Sequence, residues 1–225
     1  MINDEIILDT ETTGLSVKEG HRIVEIGCIE LDNLIPTSRK FHCYLNPERK
    51  VSQKAFEVHG YTDEFLFKQK KFGEVVDEFL KFIENKRLVI HNAEFDLAHL
   101  NNELAILGKS KINKDNVVDT LELAKNKFPG SGISLDALCK RYRIDNSKRT
   151  KHTAIIDCEL LSKVYINLID QKEPTLDFNS NNTENSNQNI SNKILYYKKV
   201  IKPSIEQLKL HSEYLKKTLK KNFFN

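Results

Sequence analysis

Two acidic residues, separated by one threonine, follow a short apolar run near the start of the sequence. Asp9 and Glu11 come after Ile6, Ile7 and Leu8, and residues i and i+2 of a strand project to the same side. Two carboxylates so close repel each other, which raises one pKa unless a cation lies between them. Oxygen ligands of this kind suit Mg²⁺ or Mn²⁺, although acid pairs beside turns are common without any metal.

Two more acids lie near the expected starts of helices. Asp96, in the segment HNAEFD, follows a buried strand, where a carboxylate suits the helix dipole even without a catalytic role. Asp157, in the segment HTAIID, is flanked by isoleucines and leucines, and a carboxylate near an apolar face needs a charged partner. His152 opens the same segment and adds a titratable imidazole.

Strands come first in the chain, and strands that alternate with helices follow. Apolar patterns predict strands at residues 5–9, 22–31, 41–45, 87–91 and 117–119. They predict helices at 74–84, 92–107, 120–128, 134–142 and 153–169, and Asn92 is the expected cap of the second. This order predicts an α/β fold with a mixed sheet flanked by helices, which would carry the three acidic segments.

The composition changes abruptly at residues 179–192. Eleven of these 14 residues are Asn, Ser or Gln, which cannot bury enough apolar surface to offset their ordering entropy. A chain of 225 residues has room for one domain and a tail. We therefore expect a folded domain over 1–170, a flexible linker over 171–192 and a C-terminal segment over 193–225.

The C-terminal segment is basic and contains a predicted helix. It has nine lysines and two acids, whereas the rest of the chain has 26 basic and 30 acidic residues. Ser204 and Gln207 have the spacing of a capping box. An apolar stripe would comprise Ile205, Leu208, Leu215 and Leu219. So short a helix is marginal alone, which favours a protein partner over the membrane surface or DNA that a basic amphipathic helix can also bind.

Several classes of protein are excluded. No apolar run reaches the ~18 residues of a membrane span, and the acidic N-terminus lacks the form of a secretory signal. The four cysteines are isolated in the sequence, which argues against zinc ligands and against a disulfide framework. We expect a cytoplasmic protein with reduced thiols that is not bound to a membrane.

The three acidic segments together resemble the motifs of the DEDD-type 3′→5′ exonucleases, in the branch that uses a histidine (DEDDh). The motifs D-x-E-T-T-G, H-N-A-x-F-D and H-x-A-x-x-D begin at Asp9, His91 and His152. The segments EVHG (57–60), SLDALC (134–139) and IDNSKRT (144–150) are similar to the epsilon family of proofreading subunits of bacterial DNA polymerase III. The resemblance extends over about residues 5–168.

Membership of this family would imply an RNase H-like fold, with a mixed five-stranded sheet that carries the acids at its centre. It would also imply two divalent metal ions, Mg²⁺ or Mn²⁺. Asp9, Glu11 and Asp157 would hold the first, and Asp9 would share the second with support from Asp96. His152 would be the general base, and the product would be a 5′-nucleoside monophosphate released from a 3′ end.

The resemblance further implies which residues contact the terminal nucleotide. They are Asp9, Glu11, Thr12, Thr13, Gly14, Leu15, Lys54, His59 and Asp157. Leu15 would be a wedge against the terminal base. Lys54 stands where a related protein carries an acid, which leaves its contact with the nucleotide open. His59, taken alone, would be a loop residue without a role.

The implied substrate is a single-stranded or frayed DNA 3′ end, and the implied partner of residues 193–225 is the catalytic (alpha) subunit of the polymerase. A theta-like small subunit is a further partner that the family suggests, as is the sliding clamp through residues 173–178. One alternative is a DEDDh exonuclease that acts on RNA 3′ ends or short oligoribonucleotides with the same catalytic residues. Another is an inactive polymerase scaffold, which the complete catalytic set argues against.

Overall fold

A mixed sheet of five strands is the framework of the larger part of the chain. The computed structural model describes residues 4–147, 149, 151–169 and 203–218, which fall into two units divided after Leu176. The strands are β1 (Asp4–Thr12), β2 (Ile23–Asp32), β3 (Ile35–Tyr44), β4 (Arg87–Ile90) and β5 (Val117–Asp119). Their order is β3-β2-β1-β4-β5, and β1 is antiparallel to β2 and parallel to β4. The predicted α/β fold with a mixed five-stranded sheet is confirmed.

Helices flank this sheet. The described ones are α1 (Gln53–His59), α2 (Asp63–Leu66), α3 (Phe72–Ile83), α4 (Ala93–Ile106), α5 (Thr120–Lys127), α6 (Leu135–Tyr142) and α7 (Ala154–Leu168). The sequence patterns predict all of these except α1 and α2, which are too short to show apolar periodicity. Strand β3 begins at Ile35, and the predicted start at residue 41 is wrong. The first half of the strand is mostly exposed, so its sequence lacks the alternating apolar pattern from which a strand is predicted.

Both faces of the central strand β1 are buried, each against different helices. Ile6 and Leu8 belong to one core cluster, whose members include Phe79 of α3 and Leu100 of α4. Ile7 belongs to a second cluster, whose members include Leu138 of α6 and Leu161 of α7. Burying side chains of this size contributes roughly 1.5–3 kcal/mol each. The hydrophobic effect thus fixes which helix faces each side of β1.

The alternation along β1 then decides where its polar end points. Asp9 and Glu11 continue the side of Ile7, toward α7, and Thr10 continues the side of Ile6 and Leu8, toward α4. The strand's pairing with β2 becomes irregular between Glu11 and Thr12, where the strand ends.

The second unit contains helix α8 (Ile205–Thr218) in its described part. The predicted capping box is present, because the Ser204 N–H donates to Gln207 Oε1 (2.9 Å) and the Gln207 N–H donates to the Ser204 hydroxyl (3.2 Å). Ile205 and Leu208 of the stripe are exposed. Leu219, the linker over 171–192 and the clamp segment over 173–178 lie outside the described residues. In the part of the chain that is described, no helix is long and apolar enough to cross a membrane.

Candidate active site

The five residues predicted to do chemistry line one cavity of about 170 Å³ at the end of β1. Asp9 and Glu11 come from the strand itself, Asp96 from the first turn of α4 and Asp157 from the first turn of α7. His152 lies two residues before the first residue of α7. We call this the catalytic cavity. Its lining also includes Thr10, His91, Phe95, Leu135, Arg149 and Leu161.

Asp96 is held against β1 by the threonine between the other two acids. The N–H and the hydroxyl of Thr10 both donate to Asp96 Oδ1, at 3.1 and 2.7 Å. Burial nevertheless raises the pKa of Asp96 to about 7, against the lowering effect of these hydrogen bonds. Thr10 therefore fixes the position of Asp96 and offsets only part of the effect of burial on its pKa.

The start of α4 is capped differently from the prediction. Asn92 is the residue before the helix, but its side chain makes no capping hydrogen bond and its backbone is left-handed (φ 71°). The Asp119 carboxyl group, at the end of β5, accepts the N–H groups of Asn92 and Ala93, both at 3.1 Å. The cap thus comes from the neighbouring strand, and the same contact fixes the turn that carries Asp96.

The pKa values of the two acids of β1 are raised by burial and by the other acids around them. The pKa of Glu11 is raised to about 8, first by burial and then by the charges of Asp157 and Glu25. The pKa of Asp9 is raised well above its usual value by burial and by Asp96 and the other neighbouring acids. Such shifts are typical of functional sites.

The donor atoms of the catalytic cavity fit a divalent cation. Glu11, His152 and Asp157 each offer one ligand atom, and these three atoms lie within 4.8 Å of one another. Asp9 lines the same cavity with a further carboxyl group. Carboxylate oxygens around buried negative charge are the ligands that Mg²⁺ and Mn²⁺ prefer. The residues therefore suit the metals that the sequence predicted.

Asp157 differs from the other acids because an arginine binds it. Arg149 Nε and Nη2 donate to its two carboxylate oxygens, each at 2.6 Å, and Nη1 contacts Asp136 at 2.7 Å. Nη2 also donates to His152 Nδ1 at 2.8 Å. Burial favours a higher pKa for Asp157, but the nearby His152 ring, whose Nδ1 lies 3.3 Å from Oδ2, and the Arg149 guanidinium outweigh it and hold the pKa below its usual value.

The sequence analysis did not identify Arg149 as a site residue. The residue lies in the NSKRT segment, which the sequence marks only as a family motif. The Arg149 guanidinium nevertheless reaches the carboxylate of Asp157, eight residues further along the chain. No helical or strand spacing predicts such a contact.

A second cavity of about 550 Å³ adjoins the catalytic cavity and shares Thr10, Glu11 and Phe95 with it. We call it the nucleotide cavity. Among the predicted nucleotide contacts, its lining includes Glu11, Thr12, Gly14, Leu15, Lys54 and His59. Asp9 and Asp157 line the catalytic cavity instead. Thr13 is not among the lining residues of either, because its buried hydroxyl contacts His21 Nδ1 (3.0 Å) and accepts the Arg22 N–H (3.1 Å).

The walls of the nucleotide cavity combine rigid and exposed groups. A Cβ atom at Gly14 would lie 2.3 Å from the His21 ring, so only glycine fits there. Leu15 is 81% exposed at the rim, as a wedge against a base would need to be. His59 is not a loop residue but the last residue of α1, and burial lowers the pKa of its buried ring, which favours the neutral form.

Comparison with known proteins shows the family of this chain. The exonuclease family matches residues 6–165. The DNA polymerase III subunit epsilon of Rickettsia felis is 45% identical over 222 residues, which covers 96% of this chain and 97% of that protein. The subunit of the same name from Escherichia coli is 49% identical over 173 residues, 73% of this chain and 71% of that protein.

Two solved structures show the same fold at low sequence identity. The nuclease domain of 3′hExo, a DEDDh family member bound to rAMP, has a TM-score of 0.66 at 16% identity and covers 76% of this chain and 94% of that one. Escherichia coli exonuclease I with a dA16 oligonucleotide has a TM-score of 0.65 at 16% identity, and the match covers 76% of this chain and 42% of that one. The expected RNase H-like fold is confirmed, and the chain belongs to the exonuclease family, within the epsilon subunits of DNA polymerase III, which are proofreading 3′→5′ exonucleases.

Proposed function

We propose that this chain removes mispaired nucleotides from DNA 3′ ends as the proofreading subunit of a bacterial replicative polymerase, in the cytoplasm. The observation that carries the proposal is the convergence of four carboxyl groups and one imidazole on a single cavity beside a larger one. The relatives that share 45–49% of their aligned residues with the chain carry the epsilon-subunit name.

The DEDDh family uses divalent metals, and we assign two such ions, Mg²⁺ or Mn²⁺, to the catalytic cavity. Asp9, Glu11 and Asp157 would hold the first, and Asp9 and Asp96 the second. The raised pKa values of Glu11 and Asp96 support this assignment, because bound cations would relieve the repulsion. When bound, such a pair of ions stabilises the attacking and leaving oxygens of an in-line displacement at phosphorus.

His152 is our candidate for the general base. Its Nδ1 accepts a hydrogen bond from Arg149, so in the neutral ring this nitrogen carries the lone pair. Before Nδ1 can take a proton from the attacking water, its hydrogen bond with Arg149 must break. The side chain of His152 is 43% exposed, which leaves it accessible to solvent. Cleavage of the bond between phosphorus and the 3′ oxygen of the preceding nucleotide releases a 5′-nucleoside monophosphate and leaves a 3′-hydroxyl group on the shortened strand.

The nucleotide cavity is the proposed site of the 3′-terminal nucleotide. Six of the predicted nucleotide contacts line this cavity: Glu11, Thr12, Gly14, Leu15, Lys54 and His59. We retain Asp9 and Asp157 as contacts from the adjoining catalytic cavity. Lys54 is exposed beside the cavity, where its ammonium group could reach a phosphate. Thr13 would act indirectly, by holding His21 behind Gly14.

The C-terminal segment over 193–225 is the proposed attachment to the polymerase catalytic subunit, joined to the nuclease domain (1–170) by the linker over 171–192. The exposed Ile205 and Leu208 of the capped helix α8 support an apolar contact. A flexible tether would raise the effective concentration of the nuclease near the primer end to roughly the millimolar range. We retain a theta-like subunit, and the clamp through residues 173–178, as further proposed partners.

The decisive experiment measures degradation of a primer with a mispaired 3′ end. Asp157→Asn should abolish degradation in Mg²⁺, whereas the control Glu159→Gln, an exposed acid two residues further on α7, should not. A near-normal rate for Asp157→Asn would contradict the metal assignment. Equal or faster degradation of an RNA 3′ end by the unmodified protein would favour the RNA-directed alternative. Capture of the purified polymerase catalytic subunit by the full chain tests the partner.

A further inference from the structure

Glu25 is a fully buried acid in β2 that has no part in the proposed chemistry. It lies opposite Glu11 on the neighbouring antiparallel strand β1. Its carboxyl group has three hydrogen-bond partners: His42 Nε2 lies 2.7 Å from Oε1, while the Tyr61 hydroxyl (2.7 Å) and the Ala154 N–H (2.9 Å) both donate to Oε2. A buried acid with three partners from three different segments links those segments in the fold.

One of these partners is the first residue of the catalytic helix. Ala154 opens α7 two residues after His152 and one turn before Asp157. Strand β2 also contacts this turn at Gly27, where a Cβ atom would lie 2.6 Å from the Ala154 carbonyl carbon. Glu25 therefore fixes the start of the helix that carries the proposed metal ligand Asp157 and that His152 precedes by two residues.

A second partner, Tyr61, packs behind His59, which lines the nucleotide cavity. The Tyr61 N–H donates to His59 Nδ1 at 3.0 Å, and the two rings stack with centroids 4.7 Å apart at 23°. The loop before α7 also touches the end of α1, because the His152 N–H donates to the Val58 carbonyl at 3.2 Å. The segment that carries His59 and the segment that begins α7 are therefore joined twice, once through the Glu25 carboxyl group and once through the backbone hydrogen bond between His152 and Val58.

We propose that Glu25 is a positioning residue that couples the nucleotide cavity to the catalytic helix. A single atom, Oε2, accepts both the Tyr61 hydroxyl and the Ala154 N–H, so it sets the position of the His59 ring relative to that of His152. Close packing of the interior passes a shift at one wall to the other. This inference rests on the proposed roles of His59 and His152.

The test compares two variants that each remove one hydrogen-bond donor from the same carboxyl group. Tyr61→Phe breaks the link to the nucleotide cavity, whereas His42→Val breaks a link to β3, at the edge of the sheet. We expect Tyr61→Phe to lower kcat on single-stranded DNA by about tenfold or more, a usual effect of losing a supporting hydrogen bond behind a metal site, and to change KM less. His42→Val should keep kcat within about twofold of the unmodified protein, at a similar loss of melting temperature.

Two results would overturn the coupling. One is an unchanged kcat in Tyr61→Phe. The other is an equal loss of kcat in Tyr61→Phe and His42→Val that follows their melting temperatures. This second result would mean that Glu25 only stabilises the fold. His152→Ala in the same assay separates this inference from the proposed function. If His152→Ala keeps its activity, the proposed function fails. If it loses activity while Tyr61→Phe does not, only the coupling fails.

Discussion

The crowded acids of the catalytic cavity predict that removing one of them stabilises the metal-free protein. Glu11→Gln keeps the size of the side chain and removes the charge of a residue that is only 9% exposed. The pKa of Glu11 is raised by burial, by Asp157 and by Glu25, with Arg149 as the opposing charge. The glutamine has no charge to desolvate and no repulsion to offset, so the variant should unfold at a higher temperature.

The size of the effect follows from the pKa. The ordinary value of 4.5 is raised to about 8 in the folded protein, so the folded state binds the proton more tightly than the unfolded state. The stability that this group contributes is therefore present at low pH and is lost as the pH rises from about 4.5 to about 8. At ~1.4 kcal/mol per pKa unit, ionisation of Glu11 costs at most about 4 kcal/mol at pH 8. For a domain of this size that corresponds to a melting temperature about 10 °C higher in the variant.

The assay is thermal unfolding in EDTA at pH 5 and pH 8, repeated with Mg²⁺. The melting temperature of the variant should exceed that of the unmodified protein at pH 8. The two melting temperatures should be similar at pH 5, where Glu11 of the folded protein is already protonated. Mg²⁺ should raise the melting temperature of the unmodified protein more than that of Glu11→Gln, because the variant lacks a ligand. Glu159→Gln, which removes an exposed acid paired with Lys40, is the control and should show neither effect.

Equal melting temperatures of Glu11→Gln and the unmodified protein in EDTA at pH 8 would refute the reasoning. That result would mean that the cavity acids are already neutralised or hydrated when no metal is bound. A lower melting temperature for the variant would mean that Glu11 makes a favourable interaction that outweighs the repulsion.

Other predictions concern the neighbouring groups and the tail. Arg149→Met should destabilise the metal-free protein by roughly 3–5 kcal/mol, because it leaves Asp157 buried without its partner, and Mg²⁺ should restore part of that loss in thermal unfolding. His152→Ala should lower the single-turnover rate about 10²–10⁴-fold with little change in metal affinity by calorimetry, and loss of a metal site would instead make His152 a ligand. Truncation after Gln171 should leave a nuclease that degrades single-stranded DNA but no longer co-purifies with the polymerase catalytic subunit. Tight, salt-sensitive DNA binding by residues 193–225 without polymerase binding would contradict the assignment of the tail.

Local features of the sequence were sufficient for the elements that carry the four acids, although not for α1, α2 and the first half of β3. The apolar periodicity of residues 153–169 predicts α7 with Asp157 in its first turn, and the structure has that helix at Ala154–Leu168. The Ser204–Gln207 capping box is equally local, since its hydrogen bonds join residues three apart. Interactions within a few residues leave their pattern in the sequence directly, because spacing alone decides whether such groups meet.

Contacts between distant segments were decided by the tertiary structure. Asp119 caps α4 from 26 and 27 residues away, Thr10 holds Asp96 across 86 residues, and Glu25 binds the start of α7 across 129. The composition of the sequence does not indicate these partners, and it does not indicate that Arg149 folds back onto Asp157. The sequence by itself determined which groups could do chemistry and which elements carry them. Only the packing of α4 and α7 on opposite faces of β1 decided their distances, and with these the pKa values, because burial and charge repulsion depend on where groups lie in space.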